Sequence, residues 1–93
     1  MSYRLVFDDQ VAEDLADLPR AVRRRLVQKL EALAEDPRPA AAQALTGKLR
    51  GYWRLRVGDY RVSYSIDEKN RRVHVWNAGH RRRFYDRIRR RQG

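Results

Sequence analysis

The chain contains no cysteine. That excludes a disulfide framework and a thiolate metal site, and it is compatible with a reducing compartment. No apolar run approaches the ~18 residues that a membrane-spanning helix needs. The opening residues, MSYRLVF, lack the apolar stretch of a secretion signal. These absences read as a soluble, unprocessed, cytoplasmic protein with no membrane partner. His74 and His80 lack the spacing of metal ligands, and no cysteine supports them, so neither a metal nor a cofactor is expected. Acid is also scarce where base is plentiful. Residues 50–93 hold 14 basic and 4 acidic side chains, whereas residues 1–49 hold 8 of each. All of the net charge of +10 therefore lies in the second half. Charge segregated in this way points to nucleic acid or to an acidic protein partner. A length of 93 residues leaves room for a single domain, residues 1–93, with one core.

The stretch that organises the chain is Tyr52–Ile66, YWRLRVGDYRVSYSI. Gly58-Asp59 is a two-residue break between two alternating runs, the local signal of a tight β-hairpin. With those residues as the turn, Val57 faces Tyr60, Arg56 faces Arg61, Leu55 faces Val62, Arg54 faces Ser63 and Trp53 faces Tyr64. Side chains alternate between faces along a strand. One face is then Trp53, Leu55, Val57, Tyr60, Val62, Tyr64 and Ile66. Trp53, Tyr60 and Tyr64 are core residues by phase. The other face is Arg54, Arg56, Arg61, Ser63 and Ser65. Directly opposed like charges are destabilising, so a hairpin that pairs Arg56 with Arg61 reads as a collector of positive charge for a polyanion.

The remaining elements follow from periodicity. Tyr3 to Phe7 alternates as a first strand, with Tyr3, Leu5 and Phe7 on one side. Asp8 or Asp9 suits a helix N-cap. Val11, Leu15 and Leu18 form the stripe of a short helix that ends before Pro19. Val22, Leu26, Leu30 and Leu33, with Val27 widening the face, mark a second helix from Ala21 to Ala34. The two helices form a hairpin with one apolar side, the natural cover for the apolar face of the sheet. Residues 38–51 read as a connector. Arg72 to Ala78 reads as the last strand, broken by Gly79. A register of Ile66 with Val73 sets Tyr64 against Val75, Ser65 against His74, Ser63 against Trp76 and Arg61 against Ala78. His74 and Trp76 then join the arginine face, where Trp76 is either covered core or a surface on which an unpaired base stacks. Residues 80–93, HRRRFYDRIRRRQG, carry seven arginines against one aspartate, and Phe84 and Ile88 suit a short docked helix. The expected class is α+β, in the order β-α-α-β-β-β-(α), with an antiparallel sheet packed against an N-terminal helical hairpin.

The element order, RLRVGDYRVSY (Arg54–Tyr64) and GHRRRFY (Gly79–Tyr85) resemble the RelE/ParE toxin superfamily of type II toxin–antitoxin systems, with the RelE-like branch favoured. The resemblance covers nearly the whole chain. It implies a ribosome-dependent mRNA endoribonuclease that uses no metal, in which the ribose 2′-hydroxyl attacks the adjacent phosphate. It also implies a cognate antitoxin, acidic and partly disordered, and the ribosome and mRNA as further partners. Family positions carry over onto Arg61, Arg81, Tyr85 and Arg54 as catalytic residues. Arg56, Trp76, His74, His80, Arg82 and Arg83 are then the RNA-binding residues. The chain departs from the family's best-known members at the basic pair on the preceding strand, which is lysine there. Arg54 occupies one of those positions and Tyr52 the other, and Arg56 is the nearest residue to supply the missing charge. A lysine in a basic patch can act as a base, whereas arginine, with a pKa above about 12, cannot. The arginines are therefore phosphate clamps, and proton transfer falls to Tyr85, to His80 or His74, or to the ribosome. The alternatives are a ParE-like inhibitor of DNA gyrase without nuclease activity, or a degenerate toxin that binds but no longer cuts.

Overall fold

The computed structural model describes residues 2–80, and of His80 the backbone alone. Arg81, Arg82, Arg83, Tyr85 and the expected terminal helix lie outside the described residues. The chain runs β1 (Arg4–Phe7), α1 (Asp9–Ala16), α2 (Arg20–Glu35), β2 (Ala42–Ala44), a single 3₁₀ turn (Gly47–Leu49), β3 (Trp53–Val57), β4 (Tyr60–Asp67) and β5 (Arg72–His80). Five strands form one mixed sheet in the order β1-β5-β4-β3-β2. The class is α+β, as expected, with the helical pair on one face.

The β3–β4 hairpin has the register that the turn dictates, from Val57 opposite Tyr60 to Trp53 opposite Tyr64. Gly58 takes φ 61° at the first central position of the turn, where a side chain would strain the backbone. Leu55, Val57, Val62 and Tyr64 are buried, together with Val73, Val75 and Ala78 of β5. Leu26, Leu30 and Leu33 of α2 and Val11 of α1 close the core from the other side. Burying each such leucine stabilises the fold by about 1.5–3 kcal/mol. Tyr64 is fully buried, its ring stacked near Trp53 at 6.4 Å, and its hydroxyl donates to the Pro37 carbonyl at 2.7 Å. That bond ties the end of α2 to the sheet. Burial pushes the Tyr64 hydroxyl well above its ordinary pKa.

Several local features differ from the pattern in the sequence. The sheet is not wholly antiparallel, because β1 runs parallel to β5. The α1–α2 pair carries the chain back over the sheet, so β1 docks beside the last strand rather than the next one. The connector contributes the short edge strand β2, antiparallel to β3. The N-cap of α1 is Asp8, one of the two residues the sequence offers, its carboxylate accepting from Gln10 N–H at 3.2 Å. Phe7 is 48 % exposed and Val27 36 % exposed, so neither joins the core. The strand does not end at Gly79. It continues to His80, with Gly79 paired to Arg61.

The register of β5 also shifts. Ile66–Val73, Ser65–His74 and Tyr64–Val75 pair as expected, and a bulge then intervenes. Beyond it Ser63 faces Asn77, Val62 faces Ala78 and Arg61 faces Gly79. Trp76 is thus the extra residue and not the partner of Ser63, and Ala78 turns into the core instead of facing Arg61. Two contacts from α1 and its cap bracket the bulge on the outer edge of β5. Asp8 N–H donates to the Val75 carbonyl at 2.9 Å. The buried Asp14 carboxylate accepts from Ala78 N–H at 3.1 Å, standing in for the strand partner that β1, ending at Phe7, does not supply. No helix among the described residues is long and apolar enough to cross a membrane.

Candidate nucleic-acid interface

The face of the sheet turned away from α1 and α2 is assembled in rows by the strand registers. Nearest the hairpin turn lie Arg56, Arg61 and Gly79. The next row is Gln43, Arg54, Ser63 and Asn77. Beyond it Ser65 and His74 pair, flanked by Val6 of β1 and, one residue before β3, by Tyr52. At the far end Asp67 pairs with Arg72, which lies beside Arg4. Arg4 and Arg72 belong to this face although sequence reasoning assigned them no role. Their alternation was readable, but only the parallel docking of β1 places the two together.

Arg56 and Arg61 sit directly across from each other, as the turn requires. Arg56 Nε donates to the Gly58 carbonyl at 3.3 Å, and an Arg54 guanidinium nitrogen donates to Gln43 Oε1. These contacts hold two of the guanidinium groups without neutralising them. On its β5 side Arg61 faces no side chain, only Gly79, and a Cβ there would meet no heavy atom within 4 Å among the described residues. A glycine in a strand marks a place where another backbone or a ligand approaches closely. The arrangement therefore offers fixed positive charge and hydrogen-bond donors beside a bare stretch of backbone, suited to a phosphate.

The middle of the face is polar and tightly bonded. Ser63 and Asn77 are fully buried, and Ser63 Oγ donates to Asn77 Oδ1 at 2.6 Å. Trp76 lies over the next row. Its indole stacks on His74 at 3.8 Å and 10°, meets Tyr52 edge-on at 6.1 Å, and donates from Nε1 to Ser65 Oγ at 2.9 Å. Trp76 is half-buried and lies outside the helix-covered core. Burial lowers the His74 pKa below its ordinary value of 6.5, opposed by the Asp8 carboxylate. His74 Nε2 finds no hydrogen-bond partner among the described residues.

The structure thus brings together Arg54, Arg56, Arg61, His74 and Trp76, and it carries His80 to the end of β5 beside Tyr60. Among the described residues no group of three His, Asp or Glu side chains is placed to hold a metal. At the opposite corner, Glu68 pairs with Arg38 at 2.7 Å and accepts from the Tyr3 hydroxyl at 2.8 Å. These contacts join the β4–β5 turn to the N-terminus. They are exposed and have the character of a strap, not of a site.

Comparison with known proteins agrees with this architecture. Residues 5–85 match the family model of the ParE toxin of the type II toxin–antitoxin system parDE. The toxin–antitoxin complex RelBE2 from Mycobacterium tuberculosis contains a chain 27% identical, with a TM-score of 0.79 over 87% of this chain and 100% of that one. The archaeal RelE–RelB complex from Pyrococcus horikoshii contains one 32% identical, with a TM-score of 0.75 over 87% and 97%. The isolated RelE toxin of Escherichia coli is 26% identical, with a TM-score of 0.74 over 97% and 98%. No match was found among curated proteins. The family match and the fold together define a toxin of the RelE/ParE superfamily. Within that superfamily, the chain belongs to the ParE toxin family of type II toxin–antitoxin systems.

Proposed function

We propose that this toxin is a ribosome-dependent mRNA endoribonuclease whose arginine face grips the message. The observation that carries the reading is the juxtaposition of Arg54, Arg56 and Arg61 in adjacent rows, with bare backbone at Gly79 opposite Arg61. The likeness to RelE toxins supports it. The ribose 2′-hydroxyl attacks the adjacent phosphorus, a 2′,3′-cyclic phosphate forms, and the 5′-oxygen leaves as a hydroxyl. Arg61 and Arg81 hold the scissile phosphate and stabilise the charge that grows on it, with Arg54 and Arg56 contributing to the clamp. Tyr85 takes part in proton transfer, with His80, His74 and groups of the ribosome as the other candidates. Arg82 and Arg83 extend the contact to the RNA backbone. The chemistry needs no metal or other cofactor, and the toxin works in the cytoplasm, where ribosomes are, as one domain spanning residues 1–93.

The partner that restrains it is a cognate antitoxin. The RelE–RelB and RelBE2 complexes support this partner. An acidic, partly disordered chain that orders as it wraps the basic face fits the charge of +10.

Arg61→Ala tests the reading. The variant is expected to fold as the wild type does and to lose cleavage by at least about 10²-fold, the scale of removing one donor to a transition-state anion. It should also fail to arrest growth when expressed. Full activity in a folded Arg61→Ala protein would overturn the assignment. The match to the ParE family favours a second reading, inhibition of DNA gyrase without nuclease activity. Toxic expression that stalls replication and leaves transcripts intact would select it. A chain that arrests growth by neither route would be a degenerate toxin.

A further inference from the structure

We propose that Trp76 is a nucleobase platform, so that the face binds single-stranded RNA by stacking an unpaired base on the indole while Arg54 and Arg61 hold the adjacent phosphates. The inference rests on the arginine face being an RNA site. It adds the recognition of a base, which positive charge alone does not provide.

The bulge builds the platform. Asn77 takes the position opposite Ser63 and is buried there, so Trp76 is left without a place in the ladder and lies over the neighbouring row. Three contacts fix it. His74 supports one ring face in a nearly parallel stack. Ser65 accepts from the indole N–H and sets its rotation. Tyr52 stands at 71° to the ring and blocks its tipping. A side chain already immobilised in this way loses little freedom when a ligand stacks on it. The core lies on the other side of the sheet, and Trp76 is not part of it. Rows on one face of a strand are separated by about 6.8 Å, so a phosphate on the Arg54 row and a base on the Trp76 row fit one nucleotide and its neighbour. Charge favours the same occupant. Arg4, Arg54, Arg56, Arg61 and Arg72 lie on this face; of the acids, Asp67 lies at its far end, and Asp8, at the edge of β5 beside Val75, is engaged in capping α1 through Gln10 N–H.

The test uses the full chain, an adenine oligoribonucleotide, the same oligomer with abasic residues, and inorganic tripolyphosphate. The wild type should bind the adenine oligomer more tightly than the abasic one, with quenching of tryptophan emission. Trp76→Ala should weaken binding of the adenine oligomer about 5–150-fold and leave tripolyphosphate affinity unchanged. Trp76→Phe, which keeps an aromatic ring under the base, should recover most of the affinity but lose the quenching, since Trp53 packs against the core on the helix-covered face. Equal binding of the two oligomers by the wild type would overturn the proposal. So would a folded Trp76→Phe protein with the full quenching of the wild type. Failure of the underlying arginine reading is separate, because Arg61→Ala would then leave both oligomer and tripolyphosphate binding unchanged.

Discussion

At the scale of single residues, His74 shows how one environment serves two ends. It supports Trp76 from beneath, and burial holds its pKa below 6.5 against the opposing pull of Asp8. A histidine whose folded pKa is depressed binds fewer protons folded than unfolded just below its ordinary value. Its contribution to stability is therefore complete above pH 6.5 and is lost as pH falls through the folded pKa. Stability measured by urea unfolding should drop as pH is lowered below 6.5, and His74→Gln should flatten that slope. A slope unaffected by the substitution would place the titrating group elsewhere. The arginines were legible from the sequence because a two-residue turn fixes which side chains share a face. Arg54, Arg56 and Arg61 are where that arithmetic puts them. The contribution of Arg4 and Arg72 was not legible, since it depends on a pairing between residues nearly seventy positions apart.

At the scale of elements, the informative device is α1 with its cap, which acts as a splint on β5. β1 ends at Phe7, and from Trp76 onward the outer edge of β5 depends on what α1 offers. The cap backbone at Asp8 binds Val75 and the Asp14 side chain binds Ala78, one on either side of the bulge. Removing the acceptor leaves a buried N–H without its partner, at a cost of about 1–3 kcal/mol. Asp14→Leu should therefore destabilise by that amount and speed hydrogen exchange at the Ala78 amide. Asp14→Asn keeps an acceptor oxygen and should retain most of the protection. Equal exchange in all three proteins would remove Asp14 from this role. The bulge itself left no mark in the sequence. Val73 and Val75 alternate cleanly, and Trp76-Asn77-Ala78 continues with nothing that signals an extra residue. Packing decides the matter. Asn77 is buried against Ser63, Ala78 fits under the helices, and the larger indole is left outside the ladder. Strand β2 was invisible for a different reason, being three residues long within an alanine-rich connector with little β propensity.

At the scale of the whole molecule, charge and apolar surface are sorted onto opposite sides of one sheet. The helices take the apolar face, and the arginines collect on the other. Interactions with an acidic antitoxin should accordingly be salt-dependent, because exposed charge pairs are screened beyond about 8–10 Å at ordinary ionic strength. Raising salt from 0.1 to 1 M should weaken the complex markedly, whereas an unchanged affinity would assign the binding to apolar contacts. The family was readable from the sequence because hairpin, element order and the GHRRRFY segment occur together. The choice between targets was not, because RNA and an acidic protein surface both favour a dense basic face.

That choice is settled most directly by primer extension on mRNA from a translation reaction, run with and without the toxin and with ribosomes present or omitted. The account predicts cuts within codons only when ribosomes translate, and none with Arg61→Ala. Intact message in the presence of active toxin and translating ribosomes would contradict it.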